Sequence, residues 1–560
     1  MFRKPKQLTV IDFFCGAGGF SEGFRQQGFK IVKGIDFWQP AIDTHNLNHG
    51  LNDTTKDVLD FWGKNSADVE EIEKLEDTEF LIGSPSCVSF SMSNKSGKGD
   101  KTLGIKLIKA YLRVIVVKKH QNETVLKGWY MENVPKSRDF IREKYTFEQL
   151  NLAKWAEKIG CKKTDIALKI QGEILNAGDY GAPQERKRFI AGEWIKTGEF
   201  ISPTIIQTKH KTVSEVRSRM PKTTEKKNSK KKFADPNYQN IKLEASEITD
   251  HFYDTGVYKI EWEKAEFLKT NHPFMGKMSF PENENRTSRT IMATRSASTR
   301  EAIIYKSEYN RSGDGEYRLP TIREVASLMG FPYVYQFVGS EGTKWRQIGN
   351  SVCPHQSISL AKALRKKMGL KKVPDDKIHF FQLKENYKKI KNLNTFEEKK
   401  FNSLRKRLKN TRFRRHAIKL GNMTVDLMNY HPEKKNEVAQ NWYVVAFFGT
   451  GDGYGVKIFS SQEKEDLANV LKGTSLHFDE YKKIISSLPV NVSSLQEVYE
   501  QDLHLKQESN PILLLKNLSQ IISSYKCHKE VVSGKGILQK DNIPIAQLMS
   551  AYGLLSLLNN

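Results

Sequence analysis

Short apolar runs alternate with helical stretches over residues 1–192. The runs at 10–14, 31–35, 80–82 and 129–131 each give way to small or polar residues, as strands do where they enter loops. Strands separated by helices in this way predict an α/β fold with a doubly wound, Rossmann-like parallel sheet. From 190 to about 285 the periodicity weakens, and 222–232 is a polar, lysine-rich run expected to be an exposed loop. Regular patterning resumes at about 288 and ends in a helical stretch at 356–368, expected to pack back beside the first strand.

Residues 371–560 carry a different pattern. Positions 399–419 are rich in Lys and Arg, with Phe401 and Phe413 interleaved. That composition suits a basic helix on a phosphate backbone and equally a solvated helical surface. Apolar runs at 442–448 and 454–459 flank a glycine-rich loop and predict a β-hairpin. Segments 461–472, 478–488, 511–525 and 543–558 predict helices, so this part reads as a small α+β domain that folds separately.

Charge and cysteine usage narrow the partners. The 560 residues carry a formal net charge of +25, which favours a polyanionic partner and salt-sensitive binding. The five cysteines are Cys15, Cys87, Cys161, Cys353 and Cys527; their wide spacing, without a Cys-x-x-Cys pair, argues for a reducing compartment and against a zinc site. The charged N-terminus enters a strand at once and no apolar run reaches about 18 residues, so neither a leader nor a membrane span is expected. The expected location is cytoplasmic, on the nucleoid.

Candidate chemistry sits at the ends of the predicted strands. Gly16, Gly18 and Gly19 follow the first run and open a helix, a turn that lets backbone approach a phosphate or a nucleoside with a charged tail. Asp36, after the second run, is placed to grip ribose hydroxyls. Cys87 follows the third run, where a thiol meets substrate, although a free cysteine is more often a small buried hydrophobe. Glu132 ends the fourth run, and Gln184, Arg186 and Arg188 would share one face of an extended segment. Residues 97–102 lack the spacing of a Walker phosphate loop.

In this order the segments resemble the cytosine-C5 DNA methyltransferase family over roughly residues 7–368. The carriers are Gly16-Ala17-Gly18-Gly19, Pro85-Ser86-Cys87, Glu132-Asn133-Val134, Gln184-Glu185-Arg186-Lys187-Arg188, the segment 318–332 and Gly349-Asn350-Ser351-Val352. The resemblance implies an S-adenosylmethionine-dependent enzyme that extrudes cytosine from the duplex, adds Cys87 to C6 and methylates C5. It implies a protonated Glu132 donating to cytosine N3, with Arg186 and Arg188 holding the base carbonyl, a phosphate or Glu132. Phe14 and Ile35 would flank the adenine, Asp36 the ribose and Asp57 the adenine amino group. Gly16, Gly18, Gly19 and Pro85 would line the cofactor site, closed by Asn350 and Ser351. No metal is implied. Residues 89–104 would form a mobile loop behind the nucleophile.

The chain departs from the family pattern at Ser86, Val88 and Gly34. The first two bear on the stiffness and contacts of the nucleophile loop, the third on the grip on ribose. The implied organisation is a catalytic domain at 1–192 plus 333–370, a target-recognition region at 193–332 and an accessory domain at 371–560. The implied partners are double-stranded DNA and a cognate restriction endonuclease, with the chain acting as a monomer. An RNA substrate and a non-enzymatic DNA-binding relative are the alternatives. Asp426, Glu433 and Lys435 loosely mimic a nuclease metal site, whereas extra DNA binding, partner contact or regulation are further roles for 371–560.

Overall fold

The computed structural model describes all residues except 1–6, 64–66, 87–100, 207–208, 226–229, 272–275, 402–408, 421–422, 435–440, 450–454, 502–508, 534–535, 539–541 and 560. Within 375–397 it describes only 378, 380, 390 and 393. Cys87, Val88 and most of the expected mobile loop therefore lie outside the described residues, as does Lys435. The described chain divides into two compact units, Met1–Phe401 and Asn402–Asn560.

The first unit is built on strands β1 (Thr9–Phe13), β2 (Lys30–Ile35), β3 (Phe80–Gly83), β4 (Gly128–Asn133), β7 (Gln171–Asn176) and β8 (Lys187–Trp194), with a separate hairpin of β5 (Lys144–Thr146) and β6 (Ile166–Lys169). The sheet order is β2-β1-β3-β4-β8-β7. The expected parallel arrangement holds for β1 to β4, but β8 runs antiparallel to both its neighbours, β4 and β7, so that β7 again has the direction of β1 to β4. The connection between β7 and β8 is too short for a crossover, which a parallel pair requires.

Both faces of the sheet are covered, which is why the strands read as apolar throughout. Ile11, Leu81, Trp129, Met131 and Phe189 pack on one face with α4 (Lys101–His120). Val10, Ile82, Tyr130 and Ile190 pack on the other with Phe20 and Phe24. Those two phenylalanines lie on α1 (Gly19–Gln26), which precedes α2 (Gln39–His49), α3 (Ala67–Glu73) and α5 (Ala153–Lys158) in chain order with α4.

The later segment supplies α6 (Val213–Arg217), β9 (Lys232–Ala234), β10 (Lys242–Glu244), α7 (Lys259–Thr270), β11 (Tyr305–Lys306), β12 (Tyr317–Arg318), α8 (Ile322–Met329), α9 (Glu341–Asn350) and α10 (Pro354–Lys367). Helix α10 lies against α1, and its Leu360, Ala361 and Leu364 share a core cluster with Val10 of β1; a Cβ at Gly23 would strike Ser357, whose hydroxyl donates to the Phe20 carbonyl at 2.5 Å. Residues of 193–332 share one core with residues before and after them; Val216, Phe252 and Tyr305 cluster with Ala17, Ala177, Phe337 and Ile348. Fully buried Arg318 pairs with Glu324 at 2.7 Å and with Glu308 at 2.5 Å, and Lys344 pairs with Asp250 at 2.8 Å. Such pairs hold register, because losing one partner strands a buried charge.

The unit boundary falls at Phe401, beyond the expected 371. Leu393 donates its N–H to Asp250 at 3.2 Å, Lys399 donates to the Gly256 carbonyl at 2.7 Å, and the Phe401 ring meets Tyr258, so this stretch docks on the first unit.

In the second unit, β13 (Arg414–Leu420), β14 (Met423–Met428), β15 (Tyr443–Phe448) and β16 (Gly455–Phe459) form an antiparallel sheet in chain order. The expected basic helix over 399–419 is thus a strand at 414–420, and Phe413 lies in the core. The β15–β16 pair and the helices α11 (Glu463–Lys472), α12 (Phe478–Ser486), α14 (Pro511–Ser524) and α15 (Ile545–Leu558) fall where the pattern placed them; α13 (Leu495–Gln501) and the short pair β17 (Val531–Val532) and β18 (Ile543–Pro544) are additional. Helix α15 is buried from Ile545 to Leu557 and its one amide, Gln547, accepts from Val425 N–H and donates to the Ile418 and Met423 carbonyls. Asp426 is buried and paired with Arg414 at 2.7 Å, and the described residues contain no group of three His, Cys, Asp or Glu able to hold a metal. No described helix is long and apolar enough to cross a membrane.

Candidate active site

The C-terminal ends of β1, β2, β3 and β4, with the start of β8, bring the polar residues together. After β1 the chain turns through Phe14, Gly16 and Gly18, at φ 53°, 53° and 87°. The turn is tied down by its own backbone, Gly18 N–H to Cys15 O at 2.8 Å and Cys15 N–H to Ile35 O at 3.1 Å. Asp36 accepts from Gly16 N–H at 3.0 Å through one oxygen and from Trp38 N–H at 2.9 Å through the other. Burial nevertheless pushes the Asp36 carboxyl above its usual range.

The glycines divide their work. A Cβ at Gly16 would meet only the Phe14 carbonyl at 4.0 Å, so the space over the turn is open there. One at Gly18 would meet the Tyr335 hydroxyl at 2.5 Å, and one at Gly19 would strike the Val352 carbonyl. Gly18 and Gly19 are small because the returning chain packs on them. Tyr335 also donates to Ala17 O at 2.5 Å. Beneath the turn, Ser21 donates to Asp12 at 2.6 Å and lies 3.0 Å from His45 Nε2. Burial pushes Asp12 up to about 7 and His45 down to about 3.

At the neighbouring strand ends Glu132 is buried between two partners. Arg188 Nε lies 2.9 Å from Oε1, and Ser84 Oγ donates to Oε2 at 2.6 Å. Ser84 N–H donates to Phe13 O at 3.1 Å, and Asn133 Nδ2 donates to Pro85 O at 3.0 Å. The chain is thus tied down through Pro85, two residues before Cys87.

Arg186 departs from the expected substrate-facing role. Its buried guanidinium donates to the carbonyls of Ile291 at 3.3 Å, Gly349 at 3.1 Å and Ser351 at 2.9 Å. Gln184 works beside it, accepting from Ile291 N–H at 2.9 Å. Ser351 follows α9 and donates to Gln347 O at 2.8 Å, while Asn350 is exposed at the helix end. Phe14 is half-buried and Ile35 fully so. Asp57 caps the short 3₁₀ turn Val58–Phe61, accepting from Leu59 N–H at 2.9 Å, and is exposed. Sequence reasoning missed Ser84, Asn133 as the Pro85 anchor, and Tyr335. Each acts on a residue far away in the chain, so no local signal marks it.

A doubly wound α/β sheet with a glycine-rich turn after its first strand, an acid after its second and a buried carboxylate–guanidinium pair at its fourth defines a Rossmann-like enzyme site. The family model described as C-5 cytosine-specific DNA methylase matches residues 8–369, and the chain belongs to that family. It is therefore a cytosine-C5 DNA methyltransferase by family. Among curated relatives, it is 26% identical over 373 residues to the type II methyltransferase M1.HphI of Haemophilus parahaemolyticus, covering 64% of this chain and 87% of that one. It is 25% identical over 364 residues to the type II methyltransferase M.HgiDI of Herpetosiphon aurantiacus, covering 64% and 94%. A solved structure of the Entamoeba histolytica methyltransferase EhMeth matches with 16% identity and a TM-score of 0.42, covering 65% and 99%.

Proposed function

We propose that the protein methylates C5 of cytosine within a specific duplex DNA sequence, using Cys87 as nucleophile, Glu132 as proton donor and S-adenosylmethionine as methyl donor. The observation that carries this reading is the Glu132–Arg188–Ser84 cluster at the strand ends beside the anchored Pro85. The residues present fit such a donor: the open space over Gly16 admits a ligand, and Asp36 has acceptor capacity left after two backbone bonds. When bound, S-adenosylmethionine supplies an electrophilic methyl group.

The Cys87 thiolate attacks C6 of an extruded cytosine, forming an S–C6 bond and moving the ring electron pair toward N3 and C5. Glu132 gives a proton to N3 as that pair arrives. Arg188 and Ser84 fix the direction of the carboxyl, so that the proton is delivered along one line. C5 would then bond to the methyl group of a bound donor, whose carbon–sulfur bond would break to leave S-adenosylhomocysteine. Loss of the C5 proton to solvent, return of the N3 proton to Glu132 and departure of the thiolate restore the aromatic ring and free both Glu132 and Cys87. Arg186 serves as a positioning residue that ties the 349–351 turn to the start of β8. Asn350 and Ser351 close the cofactor site, and residues 193–332 read the target sequence.

The type II relatives support a role in a restriction–modification system. The proposal extends to a restriction endonuclease as cognate partner and to action as a monomer on nucleoid DNA. The test is covalent trapping on duplex DNA carrying 5-fluorocytosine at every cytosine, whose C5 fluorine cannot leave as a proton. A denaturation-resistant adduct that disappears in Cys87→Ser is expected. Equal trapping by the variant, or none by either protein with DNA and donor bound, overturns the mechanism.

A further inference from the structure

A cleft of about 470 Å³ lies beside β8, on the face of the sheet opposite Glu132. Phe189 forms its floor and immediately follows Arg188, so the two side chains point to opposite faces of the strand. The rim carries Arg138, Arg142, Lys144 and Lys169, against the single acid Glu143. Arg138 stands 6.0 Å above the Phe189 ring. None of the four cations makes an ion pair within 4.0 Å among the described residues.

Lys144 and Lys169 are directly paired in register across the β5–β6 hairpin. Like charges directly opposite each other destabilise a strand pair, so the fold alone gains nothing from this placement. Arg138 and Arg142 add two more positive charges to the same rim. An anion would remove the conflict. The volume falls within the usual range of ligand pockets, roughly 300–1,000 Å³, and leaves room for more than one phosphate group.

The position selects among anions. Phe189 is register-paired with Asn133, whose amide holds Pro85 beside the nucleophile segment. Arg138 lies in the turn Pro135–Phe140 that directly follows β4. The cleft therefore opens at the end of the sheet where the active site is built, within reach of a duplex lying over that end.

We propose that this cleft grips the phosphodiester backbone of the substrate DNA, outside the pocket for the target base. It forms a second electrostatic anchor that carries no base readout, since phosphate contacts position a protein without specifying sequence. The proposal rests on DNA as the family's substrate and not on the methyl-transfer mechanism.

The test compares the unmodified protein with Lys144→Ala/Lys169→Ala and with the control Lys30→Ala/Lys127→Ala, whose lysines begin β2 and immediately precede β4, at the end of the sheet away from the active site. Binding to a long random-sequence duplex is measured over a salt series. Each phosphate contact contributes about 0.9 to the slope of log affinity against log salt, so the cleft variant should flatten the slope by about 2. The control should not. Thermal stability of the cleft variant should be unchanged or higher, because a repulsive pair is gone. An unchanged slope, or equal flattening by the control, overturns the proposal. Binding of inorganic phosphate that the cleft variant abolishes, with the DNA slope unaltered, also overturns it and assigns a free-anion site. A flattened slope in a protein that transfers no methyl would sink the mechanism and leave the cleft standing.

Discussion

Arg186 offers a sharp test of whether a family-like arginine acts on substrate or on the scaffold. Its guanidinium donates to three main-chain oxygens at 2.9, 3.1 and 3.3 Å, in a site where the side chain is buried. A hydrogen bond from a charged donor contributes about 1.5–3 kcal/mol, and the longest of the three least. Arg186→Met keeps the apolar stem but leaves the Ile291, Gly349 and Ser351 carbonyls without this donor. The expected loss is about 3–5 kcal/mol, a large part of the roughly 5–15 kcal/mol that holds a domain folded. Urea unfolding should show it as an earlier transition for Met1–Phe401, with that of Asn402–Asn560 unmoved. Arg186→Lys should recover only part, since one ammonium cannot span three carbonyls. At a temperature where the Met variant remains folded, its single-turnover rate with saturating DNA and donor should fall less than about tenfold, a barrier change of about 1.4 kcal/mol. Full stability with a rate loss of about a hundredfold or more would refute the positioning role and put Arg186 on the substrate.

Arg188 should behave in the opposite way, because its 2.9 Å partner is Glu132. Arg188→Ala and Glu132→Gln should each slow methyl transfer by about 10²–10³, and the double variant should be little slower than either, as expected of residues acting as one unit; additive losses would separate them. Gly19→Ala should cost about 1–3 kcal/mol of stability through its clash with the Val352 carbonyl. Gly16→Ala, with open space but a φ of 53°, should cost about 1 kcal/mol while raising the calorimetric Kd for the methyl donor; equal donor Kd values for both variants would contradict the division of roles. His210 lies 2.5 Å from Glu185 and 2.9 Å from Asp179, and the hydrogen bond to Glu185 raises its pKa above the usual 6.5. Its stabilisation is present in full below about pH 6.5 and is lost as pH rises through the raised value. His210→Ala should remove that slope from a denaturation series, and an unaltered slope would place the titration elsewhere.

Legibility in the sequence followed the range of the interactions. The strand ends that carry Asp36 and Glu132 are readable because apolar runs closing on polar residues are a local pattern, and Arg188 is readable from the alternation of polar residues entering β8. The hairpin of β15 and β16 was equally readable from its glycine-rich loop. The Ser84–Glu132 bond was not, since it depends on β3 lying beside β4. Arg186 looked like a substrate arginine because its partners lie 105 to 165 residues away. Gly18 and Gly19 looked like ligand glycines, whereas their neighbours are Tyr335 and Val352. Charge misled at 414–420, where a basic stretch reads as a solvated helix but pairs with β14. Composition places the unit boundary at 371 and the structure places it at 401, because Leu393, Lys399 and Phe401 dock through isolated contacts that leave no periodic trace.

The central claim is transfer of a methyl group to cytosine in DNA through Cys87. It is tested most directly with labelled S-adenosylmethionine and duplex DNA, with RNA and Cys87→Ser in parallel, followed by sequencing of the modified cytosines. The account predicts label at C5 of cytosine in one recurring duplex sequence, none in RNA, and none with the variant. Label in RNA but not DNA, or undiminished transfer by Cys87→Ser, would contradict it.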